Sequence, residues 1–444
     1  MSSLARSPVV ESVRNAGIVG AGGAGFPSHV KLASPVEWVI GNGAECEPLL
    51  KIDQQVARLF ARRLVRGIQL AAEATGATRA GVAIKYKHVE TIAAVRAAAS
   101  GTNVEVYELD DYYPAGDEFN IVYEVTGRII PEGGRPTNVG CLVNNIVTLV
   151  QIAEAVDDAR PVTARAITIG GAVANPITVE APIGTPFEFC LAAAGGPTVA
   201  DYVALDGGPM MGKFIDPARA VVTKRTSSFL IFPRDHQYVF RRMKNPDEHQ
   251  HIARSSCDQC NLCTDFCPRY LLGHRCWPSK VMRSGLSREP IPTDVLNASL
   301  CCECGICSLF ACPIPLPVRE MMVQTRVALK KHEVKSPFRN EDVTINEFFQ
   351  NRKIPVASLM ERLGLHIYEH PAPMQGMPLK PGRIRLPLDG HAGSPAVPVK
   401  KAGDAVSAGE VVAEIPEGAL GARCHSPING HIQTIADNVM EISL

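Results

Sequence analysis

The sequence predicts a multidomain chain that mixes α/β and α+β units, and three observations carry that prediction. Strand-like runs at 36–40, 81–84 and 104–109 alternate with helical stretches near 51–75 and 88–99. From 162 to 232, short β-branched runs are punctuated by Gly and Pro, as in a small α+β module. Between 257 and 312, ten of the chain's 14 cysteines crowd together at metal-ligand spacing. A length of 444 residues suggests about three domains, and 46% hydrophobic residues suffice for buried cores.

The first unit opens with a short amphipathic helix over 8–16 and then Gly20, Gly22, Gly23 and Gly25 ahead of Phe26 and Pro27. The pattern is G-x-G-x-x-G, but Pro27 falls where a Rossmann helix would already be running, so alone it also reads as a glycine-rich turn. The strand at 36–40 delivers Asn42, Glu45, Cys46, Glu47 and Pro48 at its end, where open α/β sheets bind ligands. The longest apolar run, 139–156, is interrupted by Asn144, Asn145 and Gln151, which predicts a buried helix instead of a membrane span.

The cysteines form two near-copies. Cys257, Cys260, Cys263 and Cys267 precede Pro268, and Cys301, Cys304, Cys307 and Cys312 precede Pro313. Three thiolates spaced by two residues suit three irons of a cubane, and in two-cluster ferredoxins the fourth cysteine of each run crosses to the other cluster. The expectation is therefore one [4Fe-4S] cluster on Cys257, Cys260, Cys263 and Cys312, and another on Cys301, Cys304, Cys307 and Cys267. The second run has four residues, not three, before its last cysteine, and Cys302 beside Cys301 is open as a competing ligand. The register that repeats the first run keeps Cys301 as the ligand, with Cys302 and Cys276 as bystanders. A zinc ribbon is the competing metal reading. Equal numbers of Lys+Arg and Asp+Glu, 45 each, offer no electrostatic basis for a nucleic-acid or anionic-membrane partner. The charged N-terminus has no secretory h-region, so a reducing, cytoplasmic compartment is expected.

Together, Gly22 to Pro27 with Lys31, then Asn42 to Pro48, then Gly116, Asp117 and Glu118, then Asn144, Asn145 and Thr148 resemble the flavin-binding fold shared by the NADH-oxidising subunit of respiratory complex I and the RnfC subunit. The resemblance implies a Rossmann-like FMN domain over 1–160, with NADH as electron donor. It implies that Gly20, Gly22, Gly23 and Gly25 wrap FMN, that Lys31 counters its phosphate, and that Asn42, Glu45, Asn144 and Asn145 bond the flavin, with Gly116, Asp117 and Thr148 in the same site. Phe26, Glu47 and Glu118 would face the nicotinamide nucleotide, the two carboxylates as catalytic groups. Where the complex I subunit has an acidic flavin contact, this chain has Ala44, a departure similar to RnfC. Cys46 reads as small buried filler.

The later units resemble the same family: a β-grasp (SLBB) domain over 161–233, a two-cluster ferredoxin-like domain over 250–332, and a C-terminal barrel-sandwich hybrid over 376–444. The paired Met210 and Met211 read as core, 234–254 as a solvated basic linker, and 333–375 as mixed helix and linker. The segment 417–423, where carrier versions of the barrel place a modified lysine, has no lysine, which leaves a docking or capping role. A flavin domain first and a barrel last resembles the corrinoid-reducing branch of the family found in bacterial microcompartments. That order implies a corrinoid or corrinoid enzyme as partner, a shell protein as a further one, and a microcompartment lumen as location. A non-catalytic electron adaptor and an RnfC-like subunit of a membrane electron-transport complex are the alternatives.

Overall fold

The computed structural model describes residues 7–243, 256–284 and 293–444. The chain opens with α1 (Pro8–Asn15), which buries Val9, Val10 and Val13, and α2 (Ser28–Leu32), which starts directly after Pro27. Then come β1 (Trp38–Gly43), α3 (Ile52–Leu59), α4 (Ala61–Thr75), β2 (Arg79–Lys85), α5 (Val89–Ala99), β3 (Val104–Leu109), β4 (Tyr112–Tyr113) and α6 (Glu118–Thr126). The helical stretch expected over 51–75 is two helices, parted at Phe60 with φ −115°.

The run 139–156 corrects the sequence expectation of one buried helix. It is β5 (Cys141–Asn145) followed at once by α7 (Ile146–Asp157). A buried parallel strand is as continuously apolar as a buried helix, so the run hides its boundary. Asn145 makes the switch: its backbone is extended, and its Oδ1 accepts from Val147 N at 2.9 Å to cap α7. The sheet order is β3-β2-β1-β5, all parallel, and Asn42 pairs in register with Asn145. That register brings the polar ends of β1 and β5 to one edge of the sheet.

The second unit comprises β6 (Ala164–Gly171), β7 (Ile177–Pro182), α8 (Phe187–Ala193), β8 (Tyr202–Asp206), β9 (Lys213–Ile215) and β10 (Ser228–Pro233), in the order β7-β6-β10-β8-β9. Phe187 of α8 meets Phe229 of β10 edge-on at 5.1 Å, pinning helix to sheet.

The predicted linker at 234–254 is corrected in its first part, which holds α9 (Gln237–Arg242). Tyr238 is fully buried and donates to Pro209 O, while Arg242 donates to the carbonyls of Pro209, Met210 and Gly212. Arg242 is thus spent on carbonyls at a loop of the second unit. Residues 244–254 lie outside the described residues. Past the cysteines, β11 (Ile354–Pro355) pairs with β4, and Val356–Leu363 is a helix.

The last unit has β12 (Arg383–Pro387), β13 (Val397–Pro398), β14 (Ala405–Val406), β15 (Val411–Glu414), β16 (Cys424–His425), β17 (Gly430–Ala436) and β18 (Val439–Ser443). They form two sheets, β12-β18-β17-β14 and β13-β15-β16. Ile384, Leu386, Val412, Met440 and Ile442 join the same apolar core as α4 and α7. Among the described residues no helix is long and apolar enough to cross a membrane.

Candidate functional site

The glycine-rich segment is a closed loop. Gly20 N donates to Phe26 O at 2.8 Å, and Gly25 N to Gly20 O at 3.3 Å. Thr148 anchors the loop to α7 by accepting from Ala21 N at 2.9 Å. Gly22 and Gly23 are exposed at the loop tip, Gly25 is buried and Phe26 is half-buried. Gly23 has φ +101°, and a Cβ there would point into open space. Gly22 faces Asn145, so loop and strand end share one concavity.

Around that concavity, Asn42 Nδ2 donates to Gly116 O at 2.8 Å, and Asn42 Oδ1 accepts from Ala44 N. Asn144 is buried, and its Nδ2 has no hydrogen-bond partner. A buried amide donor left unpaired costs on the order of 1–3 kcal/mol, which points to a ligand acceptor. The orphaned donor and the open face of Gly23 are the two features that fit FMN.

Lys31 Nζ donates to Glu118 Oε1 at 2.8 Å and to Val143 O. Glu118, the first residue of α6, is half-exposed. Glu45 has φ +36° and accepts from the backbone nitrogens of Asp53 and Gln54 at the start of α3. Burial pushes its carboxyl up to about 8. Asp53, which receives both carboxylate contacts of Asn145 Nδ2, is pushed up to about 6 by burial. Cys46 is pushed up to about 12 by burial, as suits a filler thiol.

Glu47 lies in the second unit's grasp, with Met210 N at 2.9 Å and Met211 N at 2.8 Å donating to its carboxylate. Burial pushes it up to about 7. The methionine pair is therefore only half core: Met210 is buried, Met211 is 46% exposed, and their amides hold Glu47. Asp117 accepts from Phe119 N and from both terminal nitrogens of Arg269.

Cys257, Cys260, Cys263 and Cys312 line one cavity with Ser279, Met282 and Leu316. Cys267, Cys304 and Cys307 are buried. Cys307 lies within electrostatic reach of Cys301 and Cys267 and also of Cys263 in that cavity, and Cys304 within reach of Cys302, Cys267 and Cys307. The two runs share a backbone signature: Gln259 and Asn261 have φ +56° and +64°, and Glu303 and Gly305 have φ +61° and +80°. Left-handed positions at matched offsets form anion-binding concavities of the kind that cradle iron–sulfur clusters. The match aligns Cys301 with Cys257 and sets Cys302 opposite Asp258. The extra residue before Cys312 is taken up by a π-helical turn, Cys307–Ala311. Cys276 and Cys302 both border this second set, with Cys276 Sγ 3.8 Å from Cys267 Sγ.

Four family models match in order: the Nuo51 FMN-binding domain at 13–154, the SLBB domain at 166–214, the 4Fe-4S dicluster domain at 256–317 and the RnfC barrel sandwich hybrid domain at 364–443. Cobalamin reductase PduS of Citrobacter freundii is 40% identical over 436 residues, covering 97% of this chain and 95% of that protein. The PduS of Salmonella typhimurium is 40% identical over 443 residues, covering 99% and 97%. The chain belongs to the PduS cobalamin reductase family. It is an oxidoreductase of the flavin and iron–sulfur type, with an FMN domain and a dicluster domain.

A component of the Na+-translocating ferredoxin:NAD+ oxidoreductase complex of Acetobacterium woodii is 35% identical over 269 residues, covering 59% of this PduS-family chain and 58% of its own length. A crystal structure of NAD+-reducing [NiFe]-hydrogenase in the H2-reduced state shares the fold at a TM-score of 0.50 and 20% identity, over 77% of this chain and 64% of that one. Sequence reasoning missed two residues of the site. Asp53 sits inside an ordinary amphipathic helix, and Arg165, buried on β6, donates to Ala21 O with its Nη1 unpaired. Spacing carries no signal for either.

Proposed function

We propose that this chain moves electrons from NADH to a corrinoid, cob(III)alamin or cob(II)alamin, by way of FMN and two [4Fe-4S] clusters. Bound FMN supplies the conversion of two-electron hydride chemistry into one-electron steps, and each cluster supplies a one-electron carrier. Gly22 and Gly23 at the loop tip would open backbone amides to the phosphate, while Gly20 and Gly25 close the loop through their own amides. Asn42, Asn144 and Asn145, fixed at the ends of neighbouring strands, would orient the ring, with Glu45, Gly116 and Thr148 bracing them. Phe26, Glu47 and Glu118 would bound the nucleotide side. Cys257, Cys260, Cys263 and Cys312 would hold one cluster, and Cys267, Cys301, Cys304 and Cys307 the other.

The loop over 113–118 carries this reading, because it touches both centres. Its Gly116 O accepts from Asn42, and its Tyr113 Oη donates to Cys304 O at 2.7 Å. Anaerobic titration tests it: NADH should bleach the flavin and then the clusters, and added cob(III)alamin should reoxidise both. A bacterial microcompartment lumen, with a shell protein as neighbour, suits a corrinoid reductase. A second reading, a relay without nucleotide oxidation, is favoured by one observation: Glu47 and Glu118 are both already satisfied by protein donors. Flavin that stays oxidised under excess NADH yet is reduced once a partner protein is added would establish that reading instead.

A further inference from the structure

Three contacts lead from the flavin side of the molecule to the cysteine set of Cys267, Cys301, Cys304 and Cys307. Tyr113 Oη reaches Cys304 O. Gly305 packs so tightly on the second unit that a Cβ would stand 3.1 Å from Met210 O, and Met210 N holds Glu47. Arg269, two residues past Cys267, forms a two-pronged ion pair with Asp117 at 2.6 and 2.9 Å. By contrast, the cavity of Cys257, Cys260, Cys263 and Cys312 is lined wholly by residues between 256 and 318, and Cys260 is exposed. The first set is inner, the second outer.

The ion pair is the strongest of the three links. Its side chains are 8% and 15% exposed, and the guanidinium carbon lies 3.7 Å from the centre of the Phe119 ring. Screening by water is weak there, and a bidentate geometry fixes both partners. Asp117 caps α6, whose first residue is Glu118, so the pair joins the nucleotide-side helix to the segment that supplies Cys267. The sulfurs of Cys302 and Cys267 lie within electrostatic reach of the guanidinium.

We propose that Asp117 and Arg269 are a positioning pair that clamps the inner cysteine set against the flavin loop and sets the reduction potential of the cluster held there. Cluster potentials respond to nearby charge and burial. The positive charge of Arg269 favours the form that holds one more electron, and the negative charge of Asp117 opposes it. The proposal rests on the flavin and iron–sulfur part of the proposed function, and on neither its donor nor its acceptor.

The test is a mediated potentiometric titration of the anaerobically purified holoprotein, with dithionite as reductant and electron paramagnetic resonance as readout. A Cys260→Ser variant identifies the outer signal. Arg269→Gln should lower the inner potential, Asp117→Asn should raise it, and Arg269→Lys should stay near the parent, with the outer signal unmoved throughout. A brace without electrostatic influence would not produce shifts of opposite sign. Shifts of the same sign, equal shifts at both clusters, or no shift would overturn the proposal. So would loss of the inner cluster's iron in all three variants, Arg269→Lys included. A parent protein without two four-iron signals would overturn this proposal together with the cluster reading beneath it, while leaving NADH and corrinoid turnover as separate measurements.

Discussion

Glu45 shows how a single buried carboxyl makes the fold sensitive to pH. Its pKa is raised, first by burial and then by the neighbouring Asp53. A raised acid binds a proton in the folded state that the unfolded chain releases, so its contribution falls as pH climbs from the ordinary 4.5 to about 8. Glu47, raised to about 7, adds a slope of the same sign. Burial lowers His29, His88 and His425 to about 4 and so gives the opposite slope below about pH 6.5, and the Glu45 contribution is therefore read as a difference. The melting temperature of the parent minus that of Glu45→Gln should decline from about pH 5 to about pH 8.5, a tenfold change in proton affinity between the folded and unfolded chain being worth about 1.4 kcal/mol. A parent-minus-variant difference that rises across this interval would refute the assignment. At Gly23 the expectation is loss of a ligand. The backbone there is left-handed and open, so Gly23→Val puts a branched side chain into the concavity and strains φ. Flavin content should fall to background, while iron stays at the parent level. The glycines, Asn42 and the Asn144–Asn145 pair were legible because each belongs to a short motif. Asp53 and Arg165 were not, since only the tertiary fold brings them to the loop.

At the scale of elements, the cysteine runs and their irregular spacing were readable, and the way the fold absorbs that spacing was not. One added residue before Cys312 looks like a broken spacing, but a π-helical turn over Cys307–Ala311 absorbs it and leaves the upstream register intact. The repeated left-handed positions then favour Cys301 over Cys302 as the first ligand of the second run. Accordingly, Cys301→Ser should lower iron from about eight to about four per chain, whereas Cys302→Ser should keep about eight. The reverse result would move the register by one residue. The strand and helix within 139–156 were unreadable as two elements for a different reason: both are buried, so apolar periodicity has nothing to alternate with. Helix α9 was hidden because its arginine is matched by carbonyls 30 to 33 residues upstream, which composition cannot anticipate.

Across the whole molecule, the order of units was legible from motifs, while the way they close on one another was not. The barrel's Ala392 N donates to Gly25 O, and Lys224 of the second unit, which is buried, bridges Gly17 O and Arg423 O. The last unit thus backs the glycine loop from behind. With the loop held on one side and the inner cysteines on the other, hydride transfer and outward electron flow become separable. Cys304→Ser should leave NADH able to bleach the flavin at close to the parent rate, because Asn42, Asn144 and the glycine loop do not depend on the Cys304 sulfur. Corrinoid reduction should collapse toward background, because the inner cluster is the one adjoining the flavin loop. Cys260→Ser should collapse it too, yet leave one cluster that NADH still reduces. Stopped-flow absorbance under anaerobic conditions distinguishes the cases. Full corrinoid reduction by both variants would mean that the flavin itself meets the acceptor and that the clusters lie off the productive route.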